Sequence, residues 1–205
     1  MNALEAVLRQ VAALFDEGRV PWALVGGLAV SVRAEPRFTR DVDLAVSMPD
    51  DAAAETLVHR LGQAGFRAQA VLEQSTTGRL ATARLAPARG ATAGLMVDLL
   101  FASSGIEAEI CRQAEPLEVF PGLVVPVARL PHLLVLKALA RDDRTRPQDA
   151  VDLRALVAAA RPNDLRAALT AAQAVVACGG NRGRDLAAAL KAAWCEFGGP
   201  RAARG

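Results

Sequence analysis

The sequence predicts an α+β fold in which a short mixed β-sheet flanked by helices is followed by a C-terminal bundle of helices. Segments typical of strands and helices alternate as far as Phe101, and from Pro131 onward the apolar pattern is helical. Size supports the same prediction, because 205 residues with 52% hydrophobic content can bury one full core but hardly two large independent domains.

The predicted elements follow one another in a simple order. Apolar residues at helical spacing from Leu4 to Leu14 predict a first helix that ends near Gly18. The elements that follow are a strand over 22–25, a helix over 26–32, a strand over 40–44, a helix over 49–61, strands over 66–71, 79–85 and 94–101 with a hairpin connection over 87–93, and helices over 133–140, 149–160, 165–176 and 184–197. We expect a first unit over 1–128, a helical region over 129–197 and a disordered tail over 198–205.

Composition excludes several classes of protein. The formal net charge of +2 is too small to indicate a nucleic-acid-binding domain, although it permits contact with RNA. The absence of tyrosine and an aromatic content of 4% argue against a stacking platform for single-stranded nucleic acid. The three cysteines lack Cys-x-x-Cys spacing, which disfavours a zinc site and suits a reducing cytoplasm. No apolar run approaches a membrane span, so we expect a cytoplasmic protein without a membrane partner.

The most informative segment joins Gly26-Gly27 to Asp41 and Asp43. Residues alternate faces along a strand, so Asp41 and Asp43 point to one side and share a small volume. Paired hard oxygen ligands suit Mg²⁺ or Mn²⁺, which would relieve the repulsion between the two charges. The glycines open a predicted helix and let a phosphate approach its N–H groups. A plain turn and a chance Asp-x-Asp are the alternative.

Asp98 is a third candidate carboxylate, within the apolar run Leu95–Phe101. An ionised side chain is rarely buried without a partner. If its strand neighbours the strand of Asp41 and Asp43, three carboxylates converge and can hold two metal ions about 3.5–4 Å apart. Otherwise, Asp98 is an acid at a strand edge that faces solvent.

Charged side chains elsewhere add further candidates. Lys137 and Arg141 share one face of an apolar helix, and Asp149 and Asp152 share one face of the next helix. Salt bridges between these helices and direct contact with a nucleotide are both open at this point. The cluster of Arg33, Arg37 and Arg40 before the acidic strand is either a phosphate-binding loop or a solvated basic loop.

These residues resemble the nucleotidyltransferases of the DNA polymerase beta superfamily, and within it the toxin-like branch named after AbiEii. The resemblance covers roughly 22–153. It rests on Leu24-Val25-Gly26-Gly27, on Arg37-Phe38-Thr39-Arg40-Asp41-Val42-Asp43-Leu44, on Val97-Asp98, and on Lys137-x-x-x-Arg141 followed by Asp149-x-x-Asp152-Leu153. Gly27 stands where a serine usually contacts the terminal phosphate, and a Gly-Gly version occurs in the toxin-like branch.

The resemblance implies a nucleotidyltransferase core over 1–128 and a triphosphate bound over Gly26-Gly27, with Arg40 beside it. It implies that Asp41, Asp43 and Asp98 are catalytic carboxylates and metal ligands, Asp98 being either a ligand or the base that takes the acceptor's proton. It also implies that Lys137 and Asp149 act in nucleotide binding or catalysis. A nucleoside triphosphate (NTP) would be the substrate, a tRNA end the acceptor, and a cognate antitoxin the partner.

The leading hypothesis is therefore a Mg²⁺-dependent nucleotidyltransferase, the toxin of a toxin–antitoxin pair. It would move a nucleoside monophosphate from an NTP to an acceptor hydroxyl of tRNA. A second hypothesis keeps this fold and changes the acceptor to a protein side chain or a small molecule such as an aminoglycoside. A third is a catalytically inactive module that binds a nucleotide or a partner.

Overall fold

A computed structural model describes residues 2–74, 78–88, 94–142 and 147–198. Almost all of the predicted tail, and most of the connection expected over 87–93, lie outside these ranges. The described residues form one seven-stranded mixed sheet with the strand order β3-β4-β5-β2-β1-β7-β6. The strands are β1 (Trp22–Val25), β2 (Asp41–Val46), β3 (Phe66–Glu73), β4 (Leu80–Pro87), β5 (Met96–Leu100), β6 (Glu115–Phe120) and β7 (Leu123–Val127).

The helices complete the predicted α+β class. Over the part of the chain that the structure describes, they are α1 (Ala3–Glu17), α2 (Gly26–Arg33), α3 (Asp51–Gln63), α4 (Glu107–Gln113), α5 (Leu130–Ala140), α6 (Pro147–Ala159), α7 (Pro162–Ala177) and α8 (Leu186–Glu196). Polar caps fix where some of them begin: the side chain of Asn2 accepts from the Glu5 N–H, and that of Asp50 accepts from the Ala53 N–H. The prediction of fold class is confirmed.

Strand β2 occupies the centre of the sheet and positions the acidic pair. It runs antiparallel to β1 and parallel to β5. Val42 and Leu44 are fully buried on one side of β2, whereas Asp41 and Asp43 are only partly buried on the other. Because β2 has a hydrogen-bonded strand on each side, its acids project from a fixed backbone.

Three elements between the end of β5 and the start of α5 have no counterpart in the predicted pattern. They are α4, β6 and β7. Pro116 and Pro126 lie opposite each other in the β6–β7 pair. Proline lacks a donor for the strand ladder, so a strand that contains it is hard to identify from its sequence. Strand β6 lies at the edge of the sheet, and β7 lies between β6 and β1.

The last four helices pack together and against α2. Helix α5 lies against α6, α7 and α8, and α2 packs on both α5 and α6. The C-terminal helices therefore contact α2, the helix that directly follows β1. The division of the chain at 128/129 stays a prediction. None of the helices in the described ranges is long and apolar enough to cross a membrane.

Candidate active site

The turn between β1 and α2 makes room for two charged side chains. Gly26 has φ +64°, in the left-handed region that favours glycine, and a Cβ on it would lie 1.9 Å from Oδ2 of Asp43. A Cβ on Gly27 would lie 2.2 Å from Nη2 of Arg37. The two glycines are therefore required because Asp43 and Arg37 fill the space that side chains would occupy.

Asp41 and Asp43 lie on the same side of β2, as the alternation of residues predicts. The pKa of Asp43 is raised from its ordinary value of 3.8 to about 6. Burial is the main cause, the negative charges of Asp98 and Asp41 raise the pKa further, and Lys137 and the backbone N–H of Gly27 oppose the shift. The site thus concentrates negative charge at Asp43 without neutralising it fully.

Asp98 joins this cluster, but it has an arginine partner. It lies directly opposite Asp43 in the parallel β2–β5 pair and opposite Arg84 in the β5–β4 pair. Arg84 donates from Nε and Nη2 to the two carboxylate oxygens of Asp98, at 2.8 and 2.5 Å. The side chain of Asp98 is 9% exposed and that of Arg84 is 48% exposed. A bidentate ion pair therefore compensates the buried carboxylate.

Arg84 is a member of the site that was not predicted from the sequence. The available signal was its place in the alternating pattern of the strand predicted over 79–85, where it shares a face with Thr82. The pairing with Asp98 depends on the register between β4 and β5, which the pattern of a single strand does not contain.

Lys137 forms salt bridges between helices, one of the two roles that the sequence left open. Its Nζ lies 2.8 Å from Oδ1 of Asp149 and 2.7 Å from Oδ2 of Asp152, and both carboxylates are buried. Arg37 contacts Asp152 from the other side, with 2.6 Å between Nε and Oδ1. Burial alone would raise the pKa of Asp152, but the hydrogen bonds from Lys137 and Arg37 outweigh it and lower the pKa. Contact of Lys137 and Asp149 with a nucleotide stays a prediction.

The arginines before β2 have separate partners. Arg33 donates to the backbone carbonyls of residues 127 and 128 and to Glu115, so it ties α2 to β7 and β6. Arg37 holds Asp152. Arg40 is exposed and lies over the ring of Phe38, 5.5 Å from its centroid. Of the three, Arg40 is the one placed at the surface beside Asp41, and its predicted role in nucleotide binding stays a prediction.

Two of the three acids of the site offer oxygen ligands that suit a divalent cation such as Mg²⁺. Asp41 and Asp43 offer hard oxygen ligands on one face, whereas both oxygens of Asp98 bond to Arg84. The residues that the structure describes hold no group of three or more His, Cys, Asp or Glu side chains arranged to bind a metal. Mg²⁺ is commonly held by one or two carboxylates together with substrate phosphates and water, which this pair can satisfy.

A known protein family matches almost the whole chain. The sequence model of the family described as nucleotidyl transferase AbiEii toxin, type IV toxin–antitoxin system, matches residues 9–199. The chain belongs to the AbiEii nucleotidyltransferase family. This AbiEii-family protein is therefore an enzyme, a nucleotidyltransferase, and both the family and the activity class predicted from the sequence are confirmed.

Several solved structures are similar to this AbiEii-family enzyme. An antigenic nucleotidyltransferase-like protein from Paracoccidioides brasiliensis superposes with a TM-score of 0.55 at 20% identity, covering 93% of each chain. A lincomycin-bound lincosamide antibiotic adenylyltransferase gives 0.49 at 14% identity, covering 78% of this chain and 100% of that one. The antibiotic-resistance factor ANT(2'')-Ia gives 0.46 at 18% identity, covering 94% and 89%. No curated protein sequence matches the chain.

Proposed function

We propose that this enzyme transfers a nucleoside monophosphate from an NTP to a hydroxyl at the end of a tRNA, with Mg²⁺ or Mn²⁺ as the cofactor. The observation that carries the proposal is the pair Asp41 and Asp43, held on one face of β2 directly beside the Gly26-Gly27 turn. The raised pKa of Asp43 supports it, because a site that collects negative charge is suited to a cation.

The proposed reaction is a substitution at phosphorus. The acceptor oxygen forms a bond to the α-phosphorus, the bond from that phosphorus to the bridging oxygen breaks, and pyrophosphate leaves. The cation held by Asp41 and Asp43 would neutralise charge on the triphosphate oxygens. Asp98, fixed beside Asp43 by Arg84, would accept the proton of the attacking hydroxyl; a carboxylate oxygen that accepts one hydrogen bond keeps a second lone pair.

Binding of the nucleotide would use the elements around the same turn. The N-terminus of α2 presents backbone N–H groups and the positive end of the helix dipole to the triphosphate. Arg40, which is exposed and directly precedes Asp41 in the chain, would add a cation for the phosphates. Lys137 and Asp149, joined by a 2.8 Å ion pair, would fix the nucleotide from the helical side.

We further propose that the enzyme is the toxin of a pair and that a cognate antitoxin restrains it. The family description, which names a toxin of a type IV toxin–antitoxin system, supports this assignment. A cytoplasmic location, as expected from the sequence, suits an enzyme that uses NTPs and tRNA. A protein side chain or an aminoglycoside as the acceptor is the competing proposal that the experiment must separate from tRNA.

The test is label transfer from each of the four α-³²P NTPs with Mg²⁺, offering total tRNA, lysate protein and an aminoglycoside as acceptors. We expect label on tRNA from one preferred NTP, and loss of that label in Asp41→Ala and Asp43→Ala variants that remain folded by circular dichroism. Label on protein or aminoglycoside alone would overturn the choice of acceptor. Full activity in both variants would overturn the assignment of the site.

A further inference from the structure

A groove opens between the β3–β4 hairpin and the turn that joins α7 to α8. Its volume is about 730 Å³, within the range of about 300–1,000 Å³ that is typical of ligand sites. Leu72 and Thr82 line it from the sheet, and Asn181 and Arg182 line it from the turn, together with Ser103 after β5. None of these residues belongs to the site described above.

The register of the strands places this groove on the same face of the sheet as the acidic cluster. Thr82 pairs with Leu100, and Arg84, two residues further along β4, pairs with Asp98. Alternate residues of a strand share a face, so Thr82 and Arg84 point to the same side, about 6–7 Å apart along the strand. The groove thus begins one side-chain position beyond the Arg84–Asp98 ion pair.

Direct backbone packing fixes the far wall of the groove. A Cβ on Gly180 would lie 2.2 Å from the carbonyl oxygen of Ser104. A Cβ on Gly105, which has φ +81°, would lie 2.6 Å from Cβ of Cys178. The turn after α7 and the segment after β5 therefore pack too closely for a side chain at either glycine.

Arg182 is held in an unusual backbone conformation at this wall. Its φ is +53°, in the region that favours glycine, and non-glycine residues kept in that region cluster at functional sites. Its guanidinium is exposed and donates through Nη2 to Oγ and to the carbonyl oxygen of Ser103, at 3.0 and 3.4 Å. Nε and Nη1 have no protein partner among the described residues, so they can donate to an anion.

We propose that the groove binds the single-stranded 3′ end of an RNA acceptor. A phosphate would contact Arg182, a base would lie against Leu72, and the terminal hydroxyl would reach Asp98 past Arg84. This inference rests on the proposed function and deepens it, because it places the acceptor on the opposite side of the acidic cluster from the Lys137 ion pairs.

The chemistry of the groove favours RNA. Arg182 can donate to a phosphate through Nε and Nη1, whereas the charge of Arg84 is compensated by Asp98. The side chain of Leu72 is an apolar surface that is 59% exposed, on which a base can lie. Glu73 also lines the groove and can accept a hydrogen bond from a ribose hydroxyl.

The test compares Arg182→Gly with Arg19→Gly. Arg19 is the other non-glycine residue with positive φ in the described ranges, at +49°, and it lies in the turn after α1. Both substitutions remove one exposed cation and place glycine where the backbone favours it, so neither should unfold the protein. The two variants therefore differ in whether the lost cation lies in the groove.

The readout is fluorescence anisotropy of a labelled single-stranded oligoribonucleotide of about eight nucleotides. We expect Arg182→Gly to weaken binding about tenfold and to lower the slope of log affinity against log salt by about one, whereas Arg19→Gly changes neither. Leu72→Ser should also weaken binding. Binding of α-³²P NTP in equilibrium dialysis should be the same in all these proteins.

Equal RNA binding by the two glycine variants would overturn the proposal, as would binding of an aminoglycoside without binding of RNA. The failure of this proposal is distinguishable from the failure of the proposed function, because RNA binding needs no turnover. Arg182-dependent RNA binding in an enzyme that labels no RNA would overturn the proposed function alone. Normal transfer to tRNA, together with RNA binding that does not depend on Arg182, would overturn the proposed role of the groove alone.

Discussion

Asp43 and Asp98 face each other across the parallel pair β2–β5, but their charges are compensated to different extents. Asp98 accepts a bidentate pair of hydrogen bonds from Arg84. The carboxylate of Asp43 accepts from the backbone N–H of Gly27 and is attracted by the charge of Lys137. These interactions are outweighed by burial and by the neighbouring carboxylates, and the pKa of Asp43 is raised to about 6. The unequal compensation leaves Asp43 with a charge that its surroundings oppose.

We expect Asp43→Asn to stabilise the metal-free protein at about pH 8 and to have little effect at about pH 4. The pKa of Asp43 rises from 3.8 to about 6 on folding. The folded state therefore binds the proton more tightly, and its stability falls as pH rises through that window. The gain in the free energy of unfolding above pH 6 should be roughly 1–3 kcal/mol. Urea unfolding in a chelating buffer at both pH values measures it, and an equal effect at the two values would contradict it.

Removal of Arg84 should expose the cost of burying Asp98. We expect Arg84→Ala to lower the free energy of unfolding at neutral pH by about 1–3 kcal/mol, because the carboxylate then lies beside Asp43 without its ion pair. The double variant Arg84→Ala/Asp98→Asn should recover part of this loss. Chemical denaturation of the two single variants and the double variant gives the coupling energy. Additive effects would show that the pair does not stabilise the site.

The close contact of Gly26 with Asp43 predicts a severe effect of one added methyl group. Gly26→Ala requires a side chain at φ +64°, which costs about 1–2 kcal/mol, and displaces a carboxylate whose Oδ2 would lie 1.9 Å from the new Cβ. We expect nucleotide transfer to fall about 10²-fold. Gly62→Ala on α3 is the matched control, because an added Cβ there meets nothing within 4 Å. Equal activity of the two variants would contradict the prediction.

The two lysines of the chain offer a matched comparison. Lys137→Met leaves two buried carboxylates without the Nζ that lies 2.8 and 2.7 Å from them, and breaking a buried ion pair typically costs about 3–5 kcal/mol. We expect a loss of this order for Lys137→Met. Lys191→Met, at an exposed position on α8, should change stability by less than about 0.5 kcal/mol. Thermal or urea unfolding compares them, and similar values would show that Lys137 is not structural.

The sequence predicted the fold class and the shared face of Asp41 and Asp43 because both depend on local patterns. Periodicity separates helix from strand, and alternation along β2 places the two acids together whatever else the chain does. The same reasoning placed Asp98 near them once the neighbouring strand was assumed. Their catalytic and metal-binding roles stay predictions.

The interactions that the sequence did not reveal join residues that are distant along the chain. Arg84 and Asp98 are 14 residues apart, and Arg37 and Asp152 are 115 apart. No pattern of spacing encodes such pairs, because each depends on how strands align or how helices dock. Strand β6 was missed for a different reason: it is an edge strand that contains proline and acidic residues, which resembles a loop in composition.

The carboxylate of Asp152 is shared by Arg37, from the loop before β2, and by Lys137, from α5. One acid on α6 thus serves two cations that lie on either side of residue 128. A chimera that joined the first 128 residues of this chain to the helices of another nucleotidyltransferase would keep Arg37 in place only if the donor supplied an acid at the equivalent position. The two parts of the chain are therefore coupled through Asp152, and exchange of either part would require a matching partner in the other.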